Sequence, residues 1–170
     1  DAMLPYFTEK FGNPSSLYAL GLDSKDEILK SKESLARLIN ADPSEITFTG
    51  SGTEADNWAL VGTARALKKK GNHIITSAIE HHAILHTCKM LEGQGFEVTY
   101  LPVDEKGFVS PEELERAITD NTILVSIMMV NNEIGTIQDI QALAKIAREH
   151  KVLFHTDSVQ ALGNMPIDVK

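Results

Sequence analysis

This chain is poor in the features that mark several protein classes. It holds one cysteine, Cys88, so no intrachain disulfide can form, and a reducing compartment, the cytoplasm, is the expected setting. It has no long apolar run. The longest, Thr122 to Val130, contains Ser126 and falls far short of the roughly 20 residues that cross a bilayer, so no membrane role is expected. It also lacks basic character: 16 Lys and Arg against 24 Asp and Glu give a net charge of −8. That balance argues against nucleic acid as a partner, which calls for a basic face. The one dense basic run, Lys68-Lys69-Lys70, falls at the end of an expected helix, where cations complement the dipole. The first residue is Asp1, not Met, which predicts a chain that begins inside a longer reading frame.

What is present describes an ordinary globular chain of 170 residues, with 42% hydrophobic and 24% charged residues. Extended and helical patterns alternate with short connections, which predicts an α/β fold: a mostly parallel sheet flanked by helices. Residues 1–22, with Gly12-Asn13-Pro14-Ser15-Ser16, read as an irregular lead-in. Residues 24–40 read as a helix capped by Asp23 or Ser24, with Ile28, Leu29, Leu35, Ala36 and Ile39 inward. Further strands are expected at 45–49, 73–77, 97–103, 122–129 and 152–155. Helices are expected at 53–70, 81–92, 110–119 and 137–150, the third opened by the Ser110-Pro111-Glu112-Glu113 capping box.

Four polar clusters each follow an apolar run: Gly50-Ser51-Gly52-Thr53-Glu54, Glu80-His81-His82, Asn131-Asn132-Glu133-Ile134-Gly135 and His155-Thr156-Asp157-Ser158-Val159-Gln160. In a parallel α/β sheet ligands bind outside the carboxyl ends of the strands, so the four predict one shared site. Gly52 and Thr53 at a helix start offer N–H groups to an anion, although Thr53 also reads as a simple helix cap. There is no Gly-Lys-Ser/Thr, so this is not a P-loop. Asp157 reads either as a cap for the next segment or as partner to a protonated ligand nitrogen, with Gln160 close by. Asn131 and Asn132 read either as an Asx turn or as amides for a ligand oxygen. His82 and His86 stand four apart on a helix, but no third ligand stands at matching spacing, so no metal is expected. His81 instead offers a flat ring to stack on another. Cys88 reads as a small core residue. A nucleotide-binding reading of Gly50 to Ala55 is poor, because the next strand ends in Thr76-Ser77 without a ribose-binding acid.

Together the anion turn, flat histidine, neutral amide and nitrogen-seeking carboxylate suit a phosphorylated pyridine. Phe48 to Asn57 (FTGSGTEADN), Glu80-His81-His82-Ala83, Asn131 to Gly135 and His155 to Gln160 resemble the cysteine desulfurase family, pyridoxal-phosphate enzymes of aminotransferase fold type I. Gly12 to Ser16, Gly95 to Val98 and Pro166 to Val169 agree. The chain departs from the family at Tyr18, often histidine there, and at Ser24-Lys25, often Ala-Arg. The resemblance implies that Gly52 and Thr53 hold the cofactor phosphate. It implies that His81 stacks on the ring and assists proton transfer, that Asn132 and Gln160 bond the ring hydroxyl, and that Asp157 pairs with the ring nitrogen.

It also implies a homodimer, L-cysteine as substrate, and a sulfur-acceptor protein as partner for iron–sulfur or thio-cofactor assembly. Residues 23–170 would be part of a cofactor-binding large domain, without the small C-terminal domain. The family's cofactor-binding lysine, in a Ser-x-His-Lys context, and its nucleophilic cysteine match no residue here; Cys88 is not in that position. The expectation is a desulfurase fragment that is inactive alone. The competing readings are a selenocysteine lyase, another fold type I enzyme, or a non-catalytic truncated paralogue.

Overall fold

The structure is a computed structural model and describes residues 3–170. Its internal contacts divide the chain into Asp1–Phe48 with Met165–Lys170, and Thr49–Asn164. In the first unit, α1 is the short Pro5–Thr8 helix and α2 is Ala19–Ile39. α2 begins before the expected position 24: Tyr18 is its N-cap, with extended backbone and no side-chain cap bond. Ser24, expected as a cap, lies inside the helix and turns its hydroxyl back onto the Leu20 carbonyl at 3.0 Å. Asn40 ends α2 in the left-handed conformation that its short polar side chain tolerates. Of the face expected to be inward, Ala36 is buried, whereas Ile28 and Leu29 are exposed.

The strand expected at 45–49 is not formed. Pro43–Glu45 is a 3-10 turn closed by a reciprocal cap in which Asp42 accepts from the Ser44 N–H and Glu45 accepts from the Asp42 N–H. Ile46 beyond it has extended dihedrals, but no neighbouring strand pairs with it among the described residues. Strand propensity describes fit to a pleated, half-buried surface, and without a ladder partner it does not make a strand.

The second unit holds α3 (Gly52–Leu67), β1 (His73–Ser77), α4 (His82–Glu92), β2 (Glu97–Leu101), α5 (Pro111–Ala117), β3 (Thr122–Ser126), α6 (Ile140–Glu149) and β4 (Leu153–His155). The four strands form one parallel sheet in the order β2-β1-β3-β4. β1 and β3 are central and buried along their whole length. Strand side chains alternate between faces, so neighbours in sequence serve different cores. Ile74 and Leu124 join Leu60 and Ala64 of α3 and Ile84, Cys88 and Leu91 of α4 on one face. Ile75 and Val125 join Leu114 of α5 and Leu143 and Ala147 of α6 on the other. Helices on both faces are what allow a parallel sheet to be fully buried.

Helix ends follow local chemistry. α6 starts at Ile140 rather than 137 because Asp139 caps the Ala142 N–H, while Ile137 bridges back to Val130. β3 ends at Ser126, but its ladder partly continues, with Ile127 and Met129 donating to the carbonyls of His155 and Asp157. That continuation holds the β3 and β4 exits side by side. Cys88 is fully buried, and burial pushes its thiol up to about 12, the state of an inert core residue. No helix of the described residues is long and apolar enough to cross a membrane.

Candidate functional site

Each polar cluster is shaped by the element it follows. Ser51, not Thr53, caps α3: its hydroxyl accepts from the Glu54 N–H at 3.2 Å, and Glu54 reaches back to the Gly50 N–H at 2.6 Å. The Thr53 hydroxyl is therefore not used as the cap, and the N–H groups of Gly52 and Thr53 stand in the first turn, where a helix supplies them no carbonyl. A side chain at Gly52 would come within 2.8 Å of Val159 Cγ2, so the glycine lets the β4 exit approach the helix start.

At the β1 exit His81 is the N-cap of α4 and accepts from the Ala83 N–H through Nδ1 at 3.1 Å. In a neutral ring that bond leaves the proton on Nε2. Asn131, at the β3 exit, makes the Asx turn foreseen as its structural reading: Oδ1 accepts from the N–H groups of Glu133 and Ile134. Asn132 takes no part in that turn bond. At the β4 exit Asp157 accepts from the Val159 N–H through Oδ1 at 2.9 Å, so it does brace the following turn.

Gly52, Thr53, His81, Asn132, Asp157 and Gln160 all line one cavity of about 220 Å³, all six expected residues, from the start of α3 and the exits of β1, β3 and β4. Asp56, Met128 and Val159 complete its lining. A second cavity of about 300 Å³ lies alongside, and His81 and Asn132 belong to both. His82 and His86 stack at 5.2 Å between ring centroids, and among the described residues no group of three His, Cys, Asp or Glu is placed to hold a metal.

Asp56 was not singled out in the sequence. It sits four residues after Gly52, one helical turn along the same face, and a lone acid there followed by Trp58-Ala59-Leu60 was the available signal. It is 5% exposed, and burial together with the charge of Asp157 pushes its carboxyl up to about 6. His155 stands 3.6 Å away through Nε2 while Nδ1 meets the Ser126 hydroxyl at 2.9 Å. Burial holds the imidazole below its ordinary range. Burial pulls both groups toward their neutral forms, which weakens the pair as a salt bridge.

No lysine or arginine lines the cavity. Two nearly buried carboxyl groups, Asp56 and Asp157, and the helix-start donors of Gly52 and Thr53 suit a ligand that is cationic at one place and anionic at another. The Thr156 hydroxyl, next to Asp157 in sequence but not in the cavity lining, is buried with no hydrogen-bond partner among the described residues.

Comparison with known proteins places the chain among cysteine desulfurase relatives. A cysteine desulfurase IscS of Methanosarcina thermophila is 61% identical over 170 residues, covering all of this chain and 42% of that protein. A NifS-like protein of known structure is 41% identical with a TM-score of 0.95, over 98% of this chain and 46% of that one. SspA, solved in complex with cysteine, is 40% identical with a TM-score of 0.96, over 99% of this chain and 48% of that one. The chain thus spans less than half the length of these relatives. The class-V aminotransferase family matches residues 1–170. The chain belongs to the class-V aminotransferase family.

Proposed function

We infer that these residues form most of the cofactor-binding region of a pyridoxal-phosphate-dependent cysteine desulfurase. The observation that carries this reading is the single cavity in which Gly52, Thr53, His81, Asn132, Asp157 and Gln160 meet without any basic side chain. The donor set fits the cofactor at both ends: helix-start N–H groups for a phosphate, and a carboxylate lacking a cation for a ring nitrogen. The relatives named above and the SspA complex with cysteine support L-cysteine as substrate.

Pyridoxal phosphate, when bound, supplies a protonated aromatic ring that draws electrons from the substrate's α-carbon. The chain's own residues hold and tune that ring. Gly52 and Thr53 bind the phosphate with backbone N–H groups and the Thr53 hydroxyl. Asp157 pairs with the ring nitrogen, and its bond to Val159 fixes its orientation. Asn132 and Gln160 offer amides to the ring hydroxyl. His81 covers one ring face and holds an exchangeable proton at Nε2, where it serves proton transfer. Asp56, beside His155, is the second acidic group of the cavity.

Residues 23–170 would belong to the large domain. The anchoring lysine and nucleophilic cysteine would come from outside these 170 residues, and the 170 residues alone would not turn over substrate. The working protein would be a cytoplasmic homodimer that passes sulfur to an acceptor protein. The test uses the natural full-length protein: incubation with pyridoxal phosphate and L-cysteine yields alanine, and borohydride reduction adds a pyridoxyl mass to one lysine. Absence of both in a folded, cofactor-supplied protein overturns the reading.

A further inference from the structure

Two residues that no ligand contact requires are among the most constrained in the molecule. Glu80 is 5% exposed, yet it is a carboxylate at a strand exit. Oε1 accepts from the Ser77 hydroxyl at 2.6 Å and from the Met128 N–H at 2.9 Å, and Oε2 lies 3.1 Å from the same N–H. Asn131 is 7% exposed and donates through Nδ2 to the Ile79 carbonyl at 2.8 Å, while its Oδ1 closes its own turn. The two bonds run in opposite directions across the same gap. Glu80 of the β1 exit takes a donor from the β3 exit, and Asn131 of the β3 exit gives a donor to the β1 exit.

His81 directly follows Glu80, and Asn132 directly follows Asn131. The geometry points to Glu80 and Asn131 as positioning residues: a reciprocal staple between the β1 and β3 exits that sets His81 and Asn132 at the wall of the cavity. The staple lies along the second cavity, which Glu80, Ile79 and Asn131 line, so no neighbouring side chain fills the space beside it. The hydrogen bonds fix the height of the two exits relative to one another. Burying a carboxylate is unfavourable, and an apolar residue at position 80 would avoid that, but it could not accept the Met128 N–H. Burial also pushes the Glu80 carboxyl up to about 7, partly offset by the two bonds it accepts.

This inference rests on the proposed roles of His81 and Asn132, and the experiment separates the two. In the natural full-length protein, the variants are Glu80→Ala, Glu80→Gln and Ser77→Ala. Two quantities are read: the His81 ring resonance of the apoprotein by NMR, and the dissociation constant of pyridoxal phosphate. Glu80→Ala shifts or broadens the His81 signal and weakens cofactor binding by roughly 10-fold to 100-fold, the size expected of a displaced site group. Glu80→Gln, which keeps an acceptor for Met128, restores both. If Glu80→Ala does not fold, Ser77→Ala decides by the same readouts. Lowered stability with an unchanged His81 signal and unchanged affinity would overturn the staple. Failure of the wild type to bind the cofactor would overturn the functional reading, while the apoprotein signal still judges the staple.

Discussion

The two ends of the cavity are built on opposite principles. Behind His81 and Asn132, polar groups are satisfied by the protein: Nδ1 of His81, both heteroatoms of Asn131 and both oxygens of Glu80 have partners. At the Gly52 and Asp157 end, groups are left over: first-turn N–H donors and a carboxylate without a cation. A satisfied group fixes geometry, and an unsatisfied one waits for a ligand. The comparison teaches which residues position and which bind.

Substitutions can break that contrast. The largest effect is expected at Asp157. Asp157→Ala removes the carboxylate proposed to pair with the ring nitrogen, and pyridoxal-phosphate affinity in the full-length protein falls about 100-fold or more, the scale of losing one partner of a buried charge pair. Equilibrium titration of the apoprotein measures it, and a loss under threefold would show that the ring nitrogen is not held there. Thr53→Ala comes next. Because Ser51 supplies the cap, helix stability should barely change, while affinity falls roughly 10-fold through one hydrogen bond to a charged group. Equal losses of stability and affinity would return Thr53 to a structural role.

Asp56→Asn sharpens the comparison through pH. The folded-state carboxyl is raised from 3.8 to about 6, so the folded state binds the proton more tightly than the unfolded chain. Its contribution to stability is then fully present below about pH 3.8 and is lost as pH rises through about 6. Urea melts across that window should show a steeper fall with pH in the wild type than in Asp56→Asn, a difference that isolates Asp56 from His155, which titrates in the opposite sense. Parallel curves would place Asp56 in water. The smallest effect is expected from Gly52→Ala. The exposed Val159 side chain can yield to the added methyl, so cofactor affinity changes by about threefold and stability by less than about 1 kcal/mol.

The sequence made the second unit easier to read than the first. Strand 122–126 carries its own signal in Ile123-Leu124-Val125, because a strand buried on both faces reads as a near-continuous apolar run, whereas 73–77 keeps only Ile74-Ile75 and buries His73, Thr76 and Ser77 with hydrogen-bond partners. The segment 45–49 shows the limit: its β-branched residues are a local property, whereas pairing needs a partner that no local pattern reveals. The α2 start was missed because Tyr18 caps it by backbone geometry alone. The convergence of the last three polar clusters followed from the rule that strand exits share an edge, whereas the first stands at the start of α3 with no strand before it among the described residues. Asp56 was marked only by its spacing from Gly52, because its neighbours Asp157 and His155 are distant in sequence. The staple was hidden for the same reason: nothing in Glu80-His81 announces that the first residue faces Met128.

The staple has a consequence for how the two ends of the sheet tolerate insertion. Between α4 and β2, at the far end of the strands, Gly95 adopts a positive φ in open space, and nothing lies within 4 Å of where a side chain would stand. An extra residue there lengthens a surface turn. At the β1 and β3 exits each anchoring residue is followed at once by a site residue, with no slack between them. One added residue at either exit would shift His81 or Asn132 out of step with its anchor, so natural length variation should gather at the α4–β2 turn and leave the two exits at fixed length.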